Sequence, residues 1–373
     1  MRTRGVGLPT TASAHVALPG GSSELRDFPI PSLGDDDGLL RVVSSGICGT
    51  DVGLFASGLT EPTVLGHHVV GVLAAVGESA ASRWNVAEGD HLLVEEYLPC
   101  GHCDTCATGW YRLCPETDLW SGGRRIGTIP ASEEPSLFGG NAEYLYLPSN
   151  AVVHRLPRDL PWTSAVWGLP LANALDWVAD AGALREGETV VVVGPGYHGL
   201  AAVAAAQHVG AASIVVCGLT SDEPRLRLAA DLGATTVVLP TDDLHGLVDH
   251  LTGGRGADVV LDTAGLASDA LESMLALLAQ RGRLVLASGK PGSALGLHSD
   301  EITRRMITVR GVRGRAPQWV ERAVDLLATG QSGVERVPTE VVALPELGSM
   351  LTDLANGRGP ATPHVVVNPQ PIA

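Results

Sequence analysis

A β-branched run, Thr189 to Val193, leads without a break into Gly194-Pro195-Gly196-Tyr197-His198-Gly199, and that turn opens an alanine-rich stretch from Tyr197 to Val209. A G-x-G-x-x-G pattern alone is weak, because glycine-rich turns are common. Placed between a strand and a helix, it is the fingerprint of a dinucleotide-binding βαβ unit. The glycines permit a tight turn and a close approach of backbone to pyrophosphate, which then caps the helix N-terminus. Further strand-like runs follow at Ser213 to Cys217, Thr235 to Leu239, Asp258 to Asp262 and Arg283 to Ser288, with helical segments such as Arg225 to Leu232 between them. This alternation predicts a parallel, doubly wound sheet from about 166 to 314.

The candidate cofactor contacts are Gly194, Gly196, Tyr197, His198 and Gly199 of the turn, then Gly218, Thr220 and Arg225 beyond the second strand. Tyr197 and His198 are read as shaping the loop, not as acid–base groups. An acidic residue is expected near position 218 to bind the ribose 2′-hydroxyl. Gly218 stands there instead, followed by Leu219-Thr220-Ser221-Asp222-Glu223-Pro224-Arg225. Thr220, Ser221 and Arg225 could hold a 2′-phosphate, whereas Asp222 and Glu223 would repel it or reach the ribose themselves. The choice between NAD and NADP stays open at this point.

Residues 1 to about 165 read differently. Short strand-like runs, among them Gly38 to Val43, Val69 to Val76, His91 to Glu95 and Ala142 to Leu147, are separated by Gly, Pro and Asp turns, including a solvated turn over residues 34–38. An all-β barrel with loop excursions is expected. One excursion carries Cys100-x2-Cys103-x2-Cys106-x7-Cys114, four of the chain's six cysteines. Four sulfurs at this spacing suit a closed tetrahedral zinc site that ties a loop together and leaves no position for substrate. The alternative is a chance cluster of free thiols.

The fifth cysteine lies in Gly46-Ile47-Cys48-Gly49-Thr50-Asp51, after a strand-like run, and Gly66-His67-His68 follows. A thiolate and an imidazole make a soft metal site. Thr50 could pass a proton, and Asp51 could fix the tautomer of a ligating His. Alone, Cys48 would more often be a small buried hydrophobe; the neighbouring groups change that weighting.

Composition excludes other roles. The net charge of −16 argues against nucleic acid, whose backbone demands clustered cations, and against an anionic membrane surface. Neither a secretory h-region nor an apolar run of about 20 residues occurs, so a soluble cytoplasmic protein is expected. Cysteines there serve metal or catalysis before disulfides.

Taken together, Gly46 to Asp51, Gly66-His67, Gly71 to Gly77, the four-cysteine lobe, Gly139 to Tyr144 and Gly194 to Gly199 resemble the zinc-dependent medium-chain dehydrogenases, the alcohol, sorbitol and threonine dehydrogenase group, over essentially the whole chain. The resemblance implies a GroES-like catalytic domain over 1–165, a Rossmann NAD(P)-binding domain over 166–314, and a return of 315–373 to the first. It implies a small-molecule substrate bound with zinc and nicotinamide in a cleft, and a homodimer or homotetramer. Cys48 and His67 correspond to catalytic zinc ligands, Thr50 to the proton-relay hydroxyl and Asp51 to the carboxylate behind the ligand His.

Three positions depart from the family pattern. His68 replaces the usual Glu, Leu169 stands where a further ligand is usual, and Gly53 replaces a relay His. His68 is therefore either a replacement ligand or a cleft or core residue. Adjacent strand residues face opposite ways, which disfavours a joint role with His67 unless Gly66 turns the chain. Three functions compete: a zinc- and NAD(P)-dependent oxidoreductase acting on a secondary alcohol or polyol and its ketone; an NADPH-dependent reductase, for example of a conjugated double bond, with an atypical or missing catalytic zinc; and a nucleotide-binding protein without chemistry. Glu143 is expected to be structural, and Trp110, Trp120 and Trp167 to be buried packing or cleft lining. His15, His154 and His298 carry no signal.

Overall fold

The computed structural model describes residues 7–265, 268–289 and 298–370. The chain divides into two compact units, one of residues 1–166, 339–360 and 364–373, the other of residues 167–338 and 361–363.

In the first unit, strands β1 (Thr11–Leu18) and β2 (Ser22–Pro29) form a hairpin in register Leu18 to Ser22, closed by Gly20 and Gly21 with φ of +89° and +79°. Next come β3 (Gly38–Gly46), β4 (Thr63–Val64), β5 (His68–Val76), β6 (His91–Val94), β7 (Tyr144–Leu147) and β8 (Val153–Leu156). β4 pairs with β1. The larger sheet runs from strand Glu340–Ala343 through Val365–Asn368, β3, β5 and β6 to β8, and β7 also pairs with β3. β3 is its spine, antiparallel to β5 with bulges near Leu39/Leu40 and Val42/Ser44. Such bulges bend a strand and help a sheet curl. Leu40, Val42, Val69, Leu73, Leu92, Val94 and Leu145 fill the interior, each fully buried side chain contributing about 1.5–3 kcal/mol. Gly71 is required by the pairing: a Cβ there would stand 2.2 Å from the Arg41 carbonyl oxygen.

The acidic turn over 34–38 is exposed but not idle. Asp35 accepts from the Glu78 N–H (3.1 Å) and the Ser79 hydroxyl (2.6 Å), capping helix Glu78–Trp84, while Asp36 pairs with Arg83 at 2.8 Å.

The second unit holds β9 (Thr189–Val193), β10 (Ser213–Leu219), β11 (Thr235–Leu239), β12 (Ala257–Asp262), β13 (Leu278–Leu286) and β14 (Thr308–Gly311). They form one parallel sheet in the order β11-β10-β9-β12-β13-β14. That is a doubly wound Rossmann sheet, with the order reversing between β9 and β12, beside the glycine turn. β9 is buried at every position, as a central parallel strand covered on both faces must be.

The stretch from 315 to 338, expected to return to the first unit with the tail, stays in the second. Helix Pro317–Ala328 buries Val320, Ala323, Val324, Leu326 and Leu327 and packs on helix Gly168–Leu175, so its apolar face holds it there. The strands Glu340–Ala343 and Val365–Asn368 and the helix Leu347–Ala355 belong to the first unit. Among the described residues, no helix is long and apolar enough to cross a membrane.

Candidate metal centres and dinucleotide turn

Cys48 ends the extended stretch after β3 and begins a single helical turn, Gly49–Gly53. Asp51 in that turn is 1 % exposed and acts as a three-way acceptor. Its Oδ2 takes the Cys48 N–H at 2.9 Å, and its Oδ1 takes the Gly66 N–H and His67 Nδ1, each at 3.1 Å. With Nδ1–H donating to Asp51, the lone pair of His67 is on Nε2, free for a metal. Burial alone would lower the His67 pKa, but the Asp51 carboxylate and the Cys48 sulfur raise it well above the ordinary imidazole value.

His67 is not part of β5, which begins at His68. Gly66 has φ of +96°, and a Cβ on it would lie 2.7 Å from both Asn141 Oδ1 and Ser45 Oγ. The Gly140 and Asn141 N–H groups donate to the Gly66 and Leu65 carbonyls at 2.8 and 2.9 Å. This clasp turns the chain immediately before His67, which stays outside the β5 ladder, so the opposite-faces rule for neighbouring strand residues does not apply to the pair. Their rings meet edge to face with centroids 4.5 Å apart. His68 pairs with Gly46 across the ladder, two residues before Cys48. One donor atom each from Cys48, His67 and His68 therefore lie within 4.8 Å of one another. One thiolate and two imidazoles with a fourth position open suit a zinc ion that takes substrate. Thr50 is exposed, its hydroxyl 3.9 Å from Cys48 Sγ.

The second cluster is closed. Cys100, Cys103, Cys106 and Cys114 all place Sγ within 4.8 Å of one another. The Cys103–Cys106 and Cys100–Cys106 separations of 3.5 and 3.9 Å bracket the edge of about 3.8 Å for a tetrahedron with Zn–S bonds of about 2.3 Å. No cysteine is in a disulfide. The Thr105 hydroxyl draws the Cys103 thiol down to about 6, while burial pushes Cys106 up to about 12. Four thiolates at this distance require a cation, and zinc fits the donor set. The lobe is tied to the barrel by Glu95, fully buried, which accepts from the Tyr111 hydroxyl at 2.7 Å and meets His154 Nε2 at 2.8 Å.

In the second unit, Gly194 turns at φ of +94°, and a Cβ on Gly199 would be 2.0 Å from the Gly194 carbonyl oxygen. The Thr263 hydroxyl donates to the Val193 and Gly194 carbonyls at 2.9 and 3.1 Å. Gly196 caps helix Tyr197–Val209 without a side chain, leaving its first N–H groups available to phosphate. His198 faces inward, with Nε2 3.1 Å from Asn173 Nδ2, and Arg315 donates to Asn173 Oδ1 at 3.2 Å.

A profile described as "Alcohol dehydrogenase GroES-like domain" matches residues 34–158, and one described as "Zinc-binding dehydrogenase" matches residues 199–329. A Mycobacterium tuberculosis protein named as an alcohol dehydrogenase is 36 % identical over 354 residues, covering 92 % of this chain and 95 % of that one. The chain belongs to the zinc-type medium-chain dehydrogenase/reductase family. It is an NAD(P)-dependent oxidoreductase of the alcohol-dehydrogenase-like, zinc-binding type. The D-arabitol-phosphate dehydrogenase of Enterococcus avium is 31 % identical, covering 86 % of this dehydrogenase and 87 % of that protein. A zinc-binding dehydrogenase of Sinorhizobium meliloti, solved with NADP bound, superposes with a TM-score of 0.83 at 26 % identity, covering 97 % of this chain and all of that one.

The exposure of two tryptophans of this dehydrogenase differs from expectation. Trp110 and Trp120 are 42 % and 76 % exposed on the cysteine lobe, not buried, whereas Trp167 is buried and meets Tyr197 edge to face. Leu169 is fully buried in helix Gly168–Leu175. Glu143 accepts the Ser13 N–H at 2.9 Å, a structural role. Glu95 and Asn141 escaped the sequence reading, since nothing in their local spacing distinguishes them. Gly218 is crowded: a Cβ there would meet Pro195 Cδ at 3.0 Å and Asp222 Oδ2 at 3.2 Å. Thr220 is exposed and Arg225 half-buried.

Proposed function

We propose that this dehydrogenase interconverts a secondary alcohol or polyol with its ketone, using a catalytic zinc held by Cys48, His67 and His68. The convergence of those three donor atoms within 4.8 Å carries the reading. When bound there, zinc supplies a Lewis acid that polarises the substrate C–O bond. Replacing the usual carboxylate by the neutral His68 leaves the site one negative charge poorer and so more electrophilic. Asp51 keeps the His67 proton on Nδ1 and holds the ring in place. Thr50, exposed beside Cys48, takes the substrate hydroxyl proton outward, and with Gly53 in the relay position that proton passes directly to water. The glycine turn over residues 194–199 holds the pyrophosphate and so positions the nicotinamide that carries hydride. The relationship to an alcohol dehydrogenase and a polyol-phosphate dehydrogenase supports this substrate class.

The test is zinc content together with alcohol oxidation. The protein should hold two zinc ions per chain, and His68→Ala should hold one and lose at least about a hundredfold in kcat/KM, as expected for a lost ligand. Leu169 and Gly53 favour the second reading, an NADPH-dependent double-bond reductase. One zinc per chain in the unaltered protein, with turnover of an enone but no alcohol, would establish that alternative.

A further inference from the structure

The C-terminal end of β10 lies beside the glycine turn, and it lacks the acidic side chain that distinguishes a ribose hydroxyl from a phosphate. A Cβ at position 218 would stand 3.0 Å from Pro195 Cδ, 3.1 Å from Asp222 Cβ and 3.2 Å from Asp222 Oδ2. Pro195 of the turn and the Asp222 carboxylate thus flank a single point. A side chain at 218 would have to displace Asp222, whose carboxylate already lies beside that point.

We propose that Asp222 performs the ribose-reading role from four residues downstream, and that the enzyme therefore uses NAD(H) and discriminates against NADP(H). The inference rests on the dehydrogenase reading of the glycine turn. Asp222 Oδ2 is pinned by the Leu219 N–H at 3.0 Å within the turn Thr220–Asp222. Its Oδ1 has no further partner among the described residues. A carboxylate fixed by a backbone donor is an acceptor for ribose hydroxyls and a repulsive neighbour for a 2′-phosphate carrying nearly two negative charges. Glu223 follows in the first turn of helix Glu223–Asp231 and adds a second negative charge. Arg225 is the cation nearest in sequence and would have to answer both.

Dinucleotide binding without substrate tests this, read by the fluorescence of NADH and NADPH in separate titrations. The unaltered enzyme should bind NADH at least about tenfold more tightly than NADPH, an energy difference of about 1.4 kcal/mol. Asp222→Asn keeps an acceptor for the Leu219 N–H but removes the charge; it should tighten NADPH by about tenfold and weaken NADH only a few-fold, closing the gap. Equal or tighter binding of NADPH by the unaltered enzyme, or an unchanged ratio in Asp222→Asn, would overturn the role of Asp222. Failure of both dinucleotides to bind would instead remove the cofactor reading itself, a separate result.

Discussion

Asp51 holds His67 by its Nδ1 at 3.1 Å while its other oxygen takes the Cys48 N–H at 2.9 Å. One buried carboxylate therefore positions a thiolate from one segment and an imidazole from another. The proposed metal centre is organised from behind, and this ordering gives the first expectation.

Asp51→Asn leaves the volume unchanged but removes the charge and one of the two acceptor oxygens that serve the Cys48 N–H, the Gly66 N–H and His67 Nδ1. Zinc affinity at the Cys48 centre should fall by about 10–100-fold, while the four-cysteine lobe keeps its ion. Dialysis against a weak chelator followed by metal analysis should take the variant from two zinc ions to one under conditions where the unaltered enzyme retains both.

Gly66→Ala attacks the turn instead of the ligands. At φ of +96°, with Asn141 Oδ1 and Ser45 Oγ at 2.7 Å from the new methyl group, alanine is strained and crowded. A cost of about 3 kcal/mol is expected, with the active-site zinc lost because His67 and His68 no longer converge. Urea midpoints and zinc content check both parts; a variant with ordinary stability and full zinc would show that the turn is not what joins them.

In the cysteine lobe, Arg112 is buried and its guanidinium lies 4.1 Å from the Trp110 ring centroid. Cys114→Ser should release the structural ion and expose Arg112 to trypsin, producing a new cut within the lobe. An intact tryptic pattern in a variant shown to hold one zinc fewer would mean that the lobe folds without its metal.

His364 is fully buried, its Nε2 3.0 Å from the Thr163 carbonyl oxygen, and burial holds its pKa down at about 4. Its folded pKa is below the unfolded value of about 6.5, so the unfolded chain binds the extra proton first. This contribution to stability is fully present above pH 6.5 and declines as pH falls toward 4, by about 2 kcal/mol at pH 5. His364→Gln, which retains a donor for Thr163, should flatten the fall in urea stability between pH 7 and 5. His15, also buried with a pKa lowered to about 4, acts in the same direction and remains in the variant.

The Rossmann sheet could be read from the sequence because each of its elements is local. Thr189 to Val193 is apolar throughout, as a doubly covered parallel strand must be, and the glycine turn adjoins it. The four-cysteine lobe was equally readable, since its donors fall within fifteen residues. Residues 315–338 were expected in the first unit, whereas helix Pro317–Ala328 belongs to the second, because an amphipathic stripe specifies burial without naming the surface that covers it.

The chain's own order of residues determined which donors exist: one thiol, two neighbouring imidazoles, a carboxylate, and a dinucleotide turn with no acid at its second strand. Only tertiary structure decided which of them meet. Whether His67 and His68 face one point depends on the clasp of residues 139–141 around Gly66, and whether Asp222 fills the place beside Gly218 depends on how a turn folds back over the end of β10. The first is a backbone clasp and the second a side chain meeting backbone; no periodicity encodes either, and both are settled by which close approaches a missing Cβ permits.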